Sequence, residues 1–140
     1  MIQSCKSQTT TLFVDDSRDI FHALSLSLPP DKGPYLFIYD PVEALEYLRP
    51  TENNNTSVIF MDYLMPTMTG LEVFEQADCL CAEKILFTAR DEKIATEALN
   101  RGLINRYISK QEPNLIQTIL EALQTGKQNY FKRLAGRIQG

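Results

Sequence analysis

Two kinds of segment alternate along this chain. Short apolar runs, rich in β-branched and aromatic residues, are typical of buried strands. Between them, apolar residues recur at spacings of three and four, which is typical of amphipathic helices. The pattern predicts strands over 10–14, 35–39, 57–61, 85–87 and 103–108.

Helix start and stop signals lie between the predicted strands. Asp16 or Ser17 can cap the first helix, and Asp40-Pro41 combines an N-cap with a first-turn proline. Gly102 is a natural residue to follow the end of the fourth helix. The predicted helices run from the 16–17 cap to residue 28, over 41–49, from 71, over 91–101, and from 113 with room to continue past 126.

Strands and helices that alternate in this way predict one architecture. Parallel strands joined by right-handed crossovers are the expected arrangement, and strands that are apolar throughout fit a sheet covered on both faces. We therefore predict an α/β fold, a doubly wound five-stranded parallel sheet with helices on both faces. In such sheets the ligand site lies at the carboxyl ends of the strands.

Composition agrees with one globular domain. Of the 140 residues, 44% are apolar and 23% are charged. No apolar run approaches the roughly 20 residues that span a bilayer, and 1–9 has no signal-peptide pattern, so we expect a cytoplasmic protein that does not bind membranes. Cys5, Cys79 and Cys81 lack a zinc-type spacing and are expected to be reduced thiols.

Charge is distributed unevenly. The net charge is −4, yet residues 126–140 contain Lys127, Lys132, Arg133 and Arg137 and no acid. We predict an N-terminal polar segment over 1–9, a domain over 10–125, and a basic helical extension or linker over 126–140. The last segment is either a linker end or a helix that dimerises or docks a partner. It has no helix-turn-helix pattern, so we expect no nucleic-acid binding.

Polar residues follow four of the predicted strands. Asp15 and Asp16 follow the first strand, Asp62 the third, Thr88 the fourth and Lys110 the fifth. Because the carboxyl ends of parallel strands meet at one edge, these groups gather in one cleft. Two carboxylates about 4 Å apart repel by roughly 4 kcal/mol at an effective dielectric near 20. A hard divalent cation with oxygen ligands, such as Mg²⁺, would relieve the repulsion, and the three aspartates are candidate ligands.

This set of residues resembles the receiver domain of two-component response regulators. The matching positions are Val14-Asp15-Asp16, Asp62 with Met65-Pro66 and Gly70 after it, Thr88-Ala89, Tyr107 and Lys110. Each motif alone is weak, but their order, strand positions and spacing together are specific. The resemblance covers roughly 10–125 and implies a flavodoxin-like, receiver-like sheet with strand order 2-1-3-4-5.

The resemblance implies a role for each residue of the cleft. Asp62 would accept a phosphoryl group from a sensor histidine kinase, a phosphotransfer protein or a small phosphodonor. Lys110 and Thr88 would bind the phosphate oxygens. The implied Mg²⁺ ligands are Asp15, Asp16, Asp62 and the backbone carbonyl of Leu64.

The resemblance also implies a conformational switch. Thr88 would move toward the phosphate and Tyr107 would follow it inward, changing the face formed by helix four, strand five and helix five. The small side chain of Ala89 would leave access to the phosphorylation site. A homodimer through that face or through the C-terminal helix is a further expectation.

Two positions depart from the family pattern. Gln111 follows Lys110 where a proline joined by a cis bond is usual, and Thr69 stands where an acid is common. A cis bond before a residue other than proline costs about 3 kcal/mol, so the Lys110–Gln111 bond is either trans or strained.

Two other functions are weighed against a phosphorylated signalling switch that is not a turnover enzyme. A receiver-like adaptor that works without phosphorylation is favoured only by the missing proline. A Mg²⁺-dependent aspartyl phosphatase is disfavoured because such hydrolases usually carry Asp-x-Asp after the first strand, whereas Asp15 and Asp16 are adjacent.

Overall fold

A computed structural model describes residues 8–49, 55–77, 81–89 and 91–139, so the predictions for 1–7, Cys5 and Cys79 lie outside the described residues. The strands are β1 (Thr10–Val14), β2 (Tyr35–Ile38), β3 (Thr56–Met61), β4 (Glu83–Thr88) and β5 (Arg106–Ser109). The helices are α1 (Arg18–Ser27), α2 (Pro41–Leu48), α3 (Gly70–Gln76), α4 (Glu92–Asn100) and α5 (Leu115–Gln139). A short 3₁₀ turn, Pro30–Lys32, precedes β2.

The five strands form one parallel sheet in the order β2-β1-β3-β4-β5. This confirms the predicted fold class and strand order. Val14, the last residue of β1, is level with Ile38 of β2 and with Met61 of β3. The central strands therefore end at the same height, and the residues that follow them share one edge.

Side chains of β1 alternate between two apolar layers. Leu12 and Val14 belong to the layer beneath α2, α3 and α4. Phe13 belongs to the opposite layer, with residues of α1 and α5, and its ring stacks on Phe60 with 4.6 Å between centroids. Because both faces of the strand are covered, its last three residues, Leu12, Phe13 and Val14, are apolar without alternation.

Two strand boundaries differ from the prediction by more than one residue. β5 begins at Arg106 instead of residue 103, because Gly102 and Leu103 belong to the C-terminal cap of α4. Gly102 has a φ of 73°, and the Leu103 amide donates to the Ala98 carbonyl at 2.9 Å. β4 begins at Glu83 instead of residue 85, because the polar residues before Ile85 pair with β3.

Helix α5 is one continuous helix of 25 residues, about 37 Å long. Gly126 lies where the helix crosses the sheet, and a Cβ there would stand 2.9 Å from Val58 Cγ2. Beyond it, Asn129 Nδ2 donates to Glu83 Oε2 at 3.2 Å and Arg133 Nη2 lies 2.9 Å from Glu83 Oε1. The basic C-terminal segment is therefore helical and contacts the amino-terminal end of β4.

No helix in the described ranges combines the length and the apolar character needed to cross a membrane.

Candidate functional site

The hydrogen-bond ladder of the sheet continues one residue past the strand ends. The Asp15 amide donates to the Ile38 carbonyl at 3.1 Å, and the Asp62 amide donates to the Val14 carbonyl at 2.9 Å. Between β4 and β5, the Lys110 amide likewise donates to the carbonyl of Thr88 at 3.0 Å. Backbone pairing therefore fixes the positions of the acids and the lysine before any side-chain contact is made.

Asp62 is a buried carboxylate with two contacts at one oxygen. Its Oδ1 accepts a hydrogen bond from the Tyr63 amide at 2.9 Å and lies 3.4 Å from Lys110 Nζ. The side chain is 9% exposed. Burial, and next the charge of Asp15, raise the pKa of Asp62 to about 6, although Lys110 and the Tyr63 amide act in the opposite direction. Asp62 is therefore ionised at neutral pH, but burial and the charge of Asp15 make its ionisation less favourable. A bound cation would reduce this free-energy cost.

Asp15 is held more tightly than Asp62. Its side chain is 1% exposed, its Oδ1 accepts a hydrogen bond from the Ser17 amide at 3.0 Å, and its Oδ2 contacts the ammonium group of Lys110. Lys110 thus lies between Asp15 and Asp62 and neutralises part of their charge. Asp16, the next residue, is exposed.

The three aspartates fit a magnesium ion. One carboxylate oxygen from each of Asp15, Asp16 and Asp62 lies within 4.8 Å of the others. Opposite ligands of an octahedral Mg²⁺ are about 4.2 Å apart, since each Mg–O distance is about 2.1 Å, so small side-chain rotations would close the set around the ion. The donors are all hard oxygens, as Mg²⁺ prefers. No contact of the Leu64 carbonyl bears on its predicted role, which stays a prediction.

The loop after Asp62 is kept close by a glycine. The Gly70 amide donates to the Tyr63 carbonyl at 2.9 Å, and a Cβ on Gly70 would stand 2.0 Å from the Asp62 carbonyl oxygen. Thr69 caps α3 in a capping box with Glu72, which explains why a threonine fits this position. Any larger residue at position 70 would displace the backbone of Asp62.

Thr88 ends β4, the strand beside β3. It is buried, and its Oγ1 lies 3.5 Å from Asp91 Oδ2, a long and weak hydrogen bond. Asp91 has a φ of 77°, a conformation that residues other than glycine adopt rarely. Ala89, which follows Thr88, is exposed.

Tyr107 on β5 is half-buried against the layer that contains α4. Burial raises the pKa of its hydroxyl, and the nearby acids Glu92 and Asp91 act in the same direction, whereas a hydrogen bond with Ser109 opposes them. The side chain of Tyr107 therefore lies close to the segment that joins β4 to α4, which contains Asp91.

Sequence reasoning predicted the residues that meet at this edge but missed part of their support. The backbone amides of Ser17 and Tyr63 donate to Asp15 and Asp62. Because every residue except proline has such an amide, the residue types give no sign of these contacts. The contact of Thr88 with Asp91 was also missed, and Asp91 was assigned only to the start of a helix. Its signal is weak: an aspartate three residues after a strand-terminal threonine.

Comparison with known proteins identifies the family. A family model described as the response regulator receiver domain matches residues 11–124. The chain belongs to the response regulator receiver domain family. No curated relative matches the sequence.

Solved structures agree with this assignment. The response regulator LqsR of Legionella pneumophila is similar with 32% identity and a TM-score of 0.81, over 94% of this chain and 47% of that one. The chain therefore spans about half of the LqsR chain. A CheY-like receiver domain protein of Methanospirillum hungatei JF-1 has 25% identity and a TM-score of 0.69, over 86% of this chain and 98% of that one.

A third structure shows the same fold. The signal receiver domain of an HD domain-containing protein from Pseudomonas fluorescens Pf-5 has 24% identity and a TM-score of 0.79, over 92% of this chain and 93% of that one. Receiver domains are generally magnesium-binding, which agrees with the acidic cluster of Asp15, Asp16 and Asp62.

Proposed function

We propose that this receiver domain is a phosphorylation switch in which Asp62 accepts a phosphoryl group from a histidine kinase or a phosphotransfer protein. The observation that carries the proposal is the convergence on Asp62 of a second buried acid, Asp15, and one ammonium group, Lys110. The family match supports a kinase or phosphotransfer partner.

The reaction requires a free oxygen on Asp62. The Tyr63 amide and Lys110 both contact Oδ1, and among the described residues Oδ2 has no hydrogen-bond partner. Oδ2 is therefore the oxygen that attacks phosphorus. As the new P–O bond forms, the P–N bond of the donor phosphohistidine breaks and its electron pair returns to the imidazole nitrogen, which takes a proton from solvent.

Negative charge on the transferring phosphoryl group is offset by the nearby ammonium group of Lys110. Lys110 lies on one side of Asp62, and it can turn from Asp15 toward the phosphoryl oxygens because the same ammonium group reaches both acids. A bound Mg²⁺, held by Asp15, Asp16, Asp62 and the Leu64 carbonyl, would neutralise further charge on those oxygens. Lys110 and the bound cation together would make the buried anion tolerable.

The hydroxyl of Thr88 is the first part of the switch. Its present bond to Asp91 is long at 3.5 Å, so little is lost when it turns to donate to a phosphate oxygen. Tyr107, half-buried beside this segment, would then move into the space that Thr88 leaves. The surface of α4, β5 and α5 changes as a result.

A phosphorylation assay tests the proposal. The protein is incubated with acetyl phosphate, with or without Mg²⁺, and its intact mass is measured. We expect the mass of one added phosphoryl group in the presence of Mg²⁺. Asp62→Asn should abolish the addition, whereas Asp31→Asn, at an exposed acid in the 3₁₀ turn, should not. An unchanged wild-type mass would contradict the proposal.

Two further measurements separate the switch from the phosphatase and the adaptor hypotheses. We propose that the domain carries out its own phosphorylation and dephosphorylation but does not turn over an external phosphomonoester. Steady release of inorganic phosphate from such a substrate, dependent on Asp62, would favour the phosphatase hypothesis. Equal partner binding by phosphorylated and unmodified protein would favour the adaptor hypothesis.

A further inference from the structure

One surface groove lies away from the phosphorylation site, between α5 and the 3₁₀ turn. Its floor includes Leu120 and Leu123, and Phe131, which is 37% exposed, lies at one end. Lys32 of the 3₁₀ turn forms part of the rim. An apolar floor with charged residues around it is a common pattern for a protein contact.

Except for Leu123, the α5 residues that line this groove are arranged symmetrically about Gln124. Glu121 and Lys127 lie three residues before and after it, and Gln117 and Phe131 lie seven residues before and after it. Residues at spacings of three and four share one face of a helix, so this set forms a single stripe.

A symmetric stripe can pair with a second copy of itself. If two α5 helices cross antiparallel with Gln124 on the two-fold axis, residues equally far from Gln124 on opposite sides face one another. Glu121 then faces Lys127 of the other copy, and this pair occurs twice. A parallel pairing would instead bring Glu121 against Glu121 and Lys127 against Lys127. Charge therefore selects the antiparallel arrangement.

Lys127 lacks an anionic partner within the described chain. Its ammonium group donates to the Lys32 carbonyl at 2.9 Å, and no ion pair among the described residues includes it. Burial, and next the charge of Lys32, lower its pKa. Glu121 is exposed, and its contact is with Gln117 of the same helix at 3.2 Å. A carboxylate from a second copy would supply the anionic partner that Lys127 lacks among the described residues.

We propose that α5 forms an antiparallel homodimer centred on Gln124, in which Glu121 of each copy pairs with Lys127 of the other. Leu120 and Phe131 supply the apolar contact, and each contributes twice because the interface is isologous. The contact does not involve Asp62, so it is expected in the unphosphorylated protein.

Charge reversal tests the pairing directly. The molar mass of the unphosphorylated protein is measured by sedimentation equilibrium over a concentration series. Wild type should dimerise, and Glu121→Lys or Lys127→Glu should each weaken the dimer about tenfold or more, because two attractive pairs become repulsive. The double variant, which exchanges the charges, should restore the dimer.

A mixture of the two single variants is the sharper test. In the mixed dimer, both pairs are again of opposite sign, so the mixture should associate more tightly than either variant alone. Lys132→Glu, at an exposed α5 position outside the stripe, and Glu46→Lys, at an exposed position on α2, should leave the wild-type dimer unchanged. Circular dichroism checks that each variant is folded.

A cross-link covers the case in which a charge variant fails to fold. On the two-fold axis, residue 124 of one copy faces residue 124 of the other, so Gln124→Cys should form a disulfide-linked dimer under mild oxidation, provided that the Cα atoms approach within about 7 Å. Thr125→Cys, also exposed but one position off the axis, should cross-link far less. A monomeric wild type, a mixture that does not associate, or equal cross-linking at both positions would each overturn the proposal.

Discussion

Removal of the Arg133 side chain should destabilise the protein, although the residue lies in a segment that its sequence alone could assign to a linker. Arg133 Nη2 lies 2.9 Å from Glu83 Oε1, and Arg133 Nη1 donates to the Cys81 carbonyl at 3.3 Å. The Glu83 side chain is 5% exposed and that of Arg133 is 33% exposed. Arg133→Ala would leave a buried carboxylate whose remaining described partner is Asn129.

The size of the effect follows from burial. Removal of one partner of a fully buried ion pair costs about 3–5 kcal/mol. Here the arginine is partly exposed and Asn129 still donates to the glutamate, so we expect a loss of about 2 kcal/mol. For a chain of 140 residues, this corresponds to a fall in Tm of about 7 °C.

Urea unfolding, followed by circular dichroism, measures this loss. Lys132→Ala, at the adjacent exposed position, is the matched control and should change the unfolding free energy by less than about 0.5 kcal/mol. Glu83→Gln should recover part of the loss when added to Arg133→Ala, because it removes the unpaired charge. If Arg133→Ala is as stable as Lys132→Ala, the contact with Glu83 does not anchor the helix and the reasoning fails.

Three further predictions concern the loop and the acid at the site. Gly70→Ala should destabilise the fold by about 3 kcal/mol or more and impair phosphorylation by acetyl phosphate. The reason is that the Cβ of the new alanine would stand 2.0 Å from the Asp62 carbonyl oxygen. A melting temperature equal to that of wild type would contradict this. Thr67→Gly should raise the unfolding free energy by about 1 kcal/mol because Thr67 has a φ of 74°, whereas Thr67→Ala, which keeps a Cβ, should raise it less; equal effects in urea unfolding would argue against backbone strain. In the absence of Mg²⁺, the pKa of Asp62 is raised from 3.8 to about 6, so the folded state binds more protons than the unfolded state between these values and stability from this group falls as pH rises through about 6. The difference in unfolding free energy between wild type and Asp62→Asn should therefore shift in favour of the variant from pH 4 to pH 7, and a constant difference would refute the shift.

The edge of the sheet where the site lies could be predicted because its residues obey a local rule. Asp15, Asp62, Thr88 and Lys110 each follow an apolar run, and parallel strands bring such positions together whatever the detailed packing. The contact of Lys110 with Asp15 could not be predicted, because it depends on the rotamer of a long side chain that reaches two acids.

The contacts of α5 with Glu83, at the other end of the sheet, could not be predicted for a different reason. Most of β4, all of α4 and β5, and most of α5 lie between Glu83 and Arg133, and no local pattern links the two residues. Asn129, Arg133 and Arg137 recur every four residues on α5, which places them on one face, but the sequence does not say which strand that face meets. The net positive charge of the segment therefore suggested an external partner, whereas part of it is used within the chain.

The absence of a proline after Lys110 has a structural answer in the backbone around it. The Lys110–Gln111 bond is trans. The Lys110 amide is held by the Thr88 carbonyl at 3.0 Å, and Ser109 holds the next residues, since its Oγ accepts from the Gln111 amide at 3.1 Å and its carbonyl accepts from the Glu112 amide at 3.2 Å. The turn is thus closed by hydrogen bonds on both sides of the lysine. Because these hydrogen bonds need no proline, Lys110 reaches Asp15 and Asp62 although residue 111 is a glutamine.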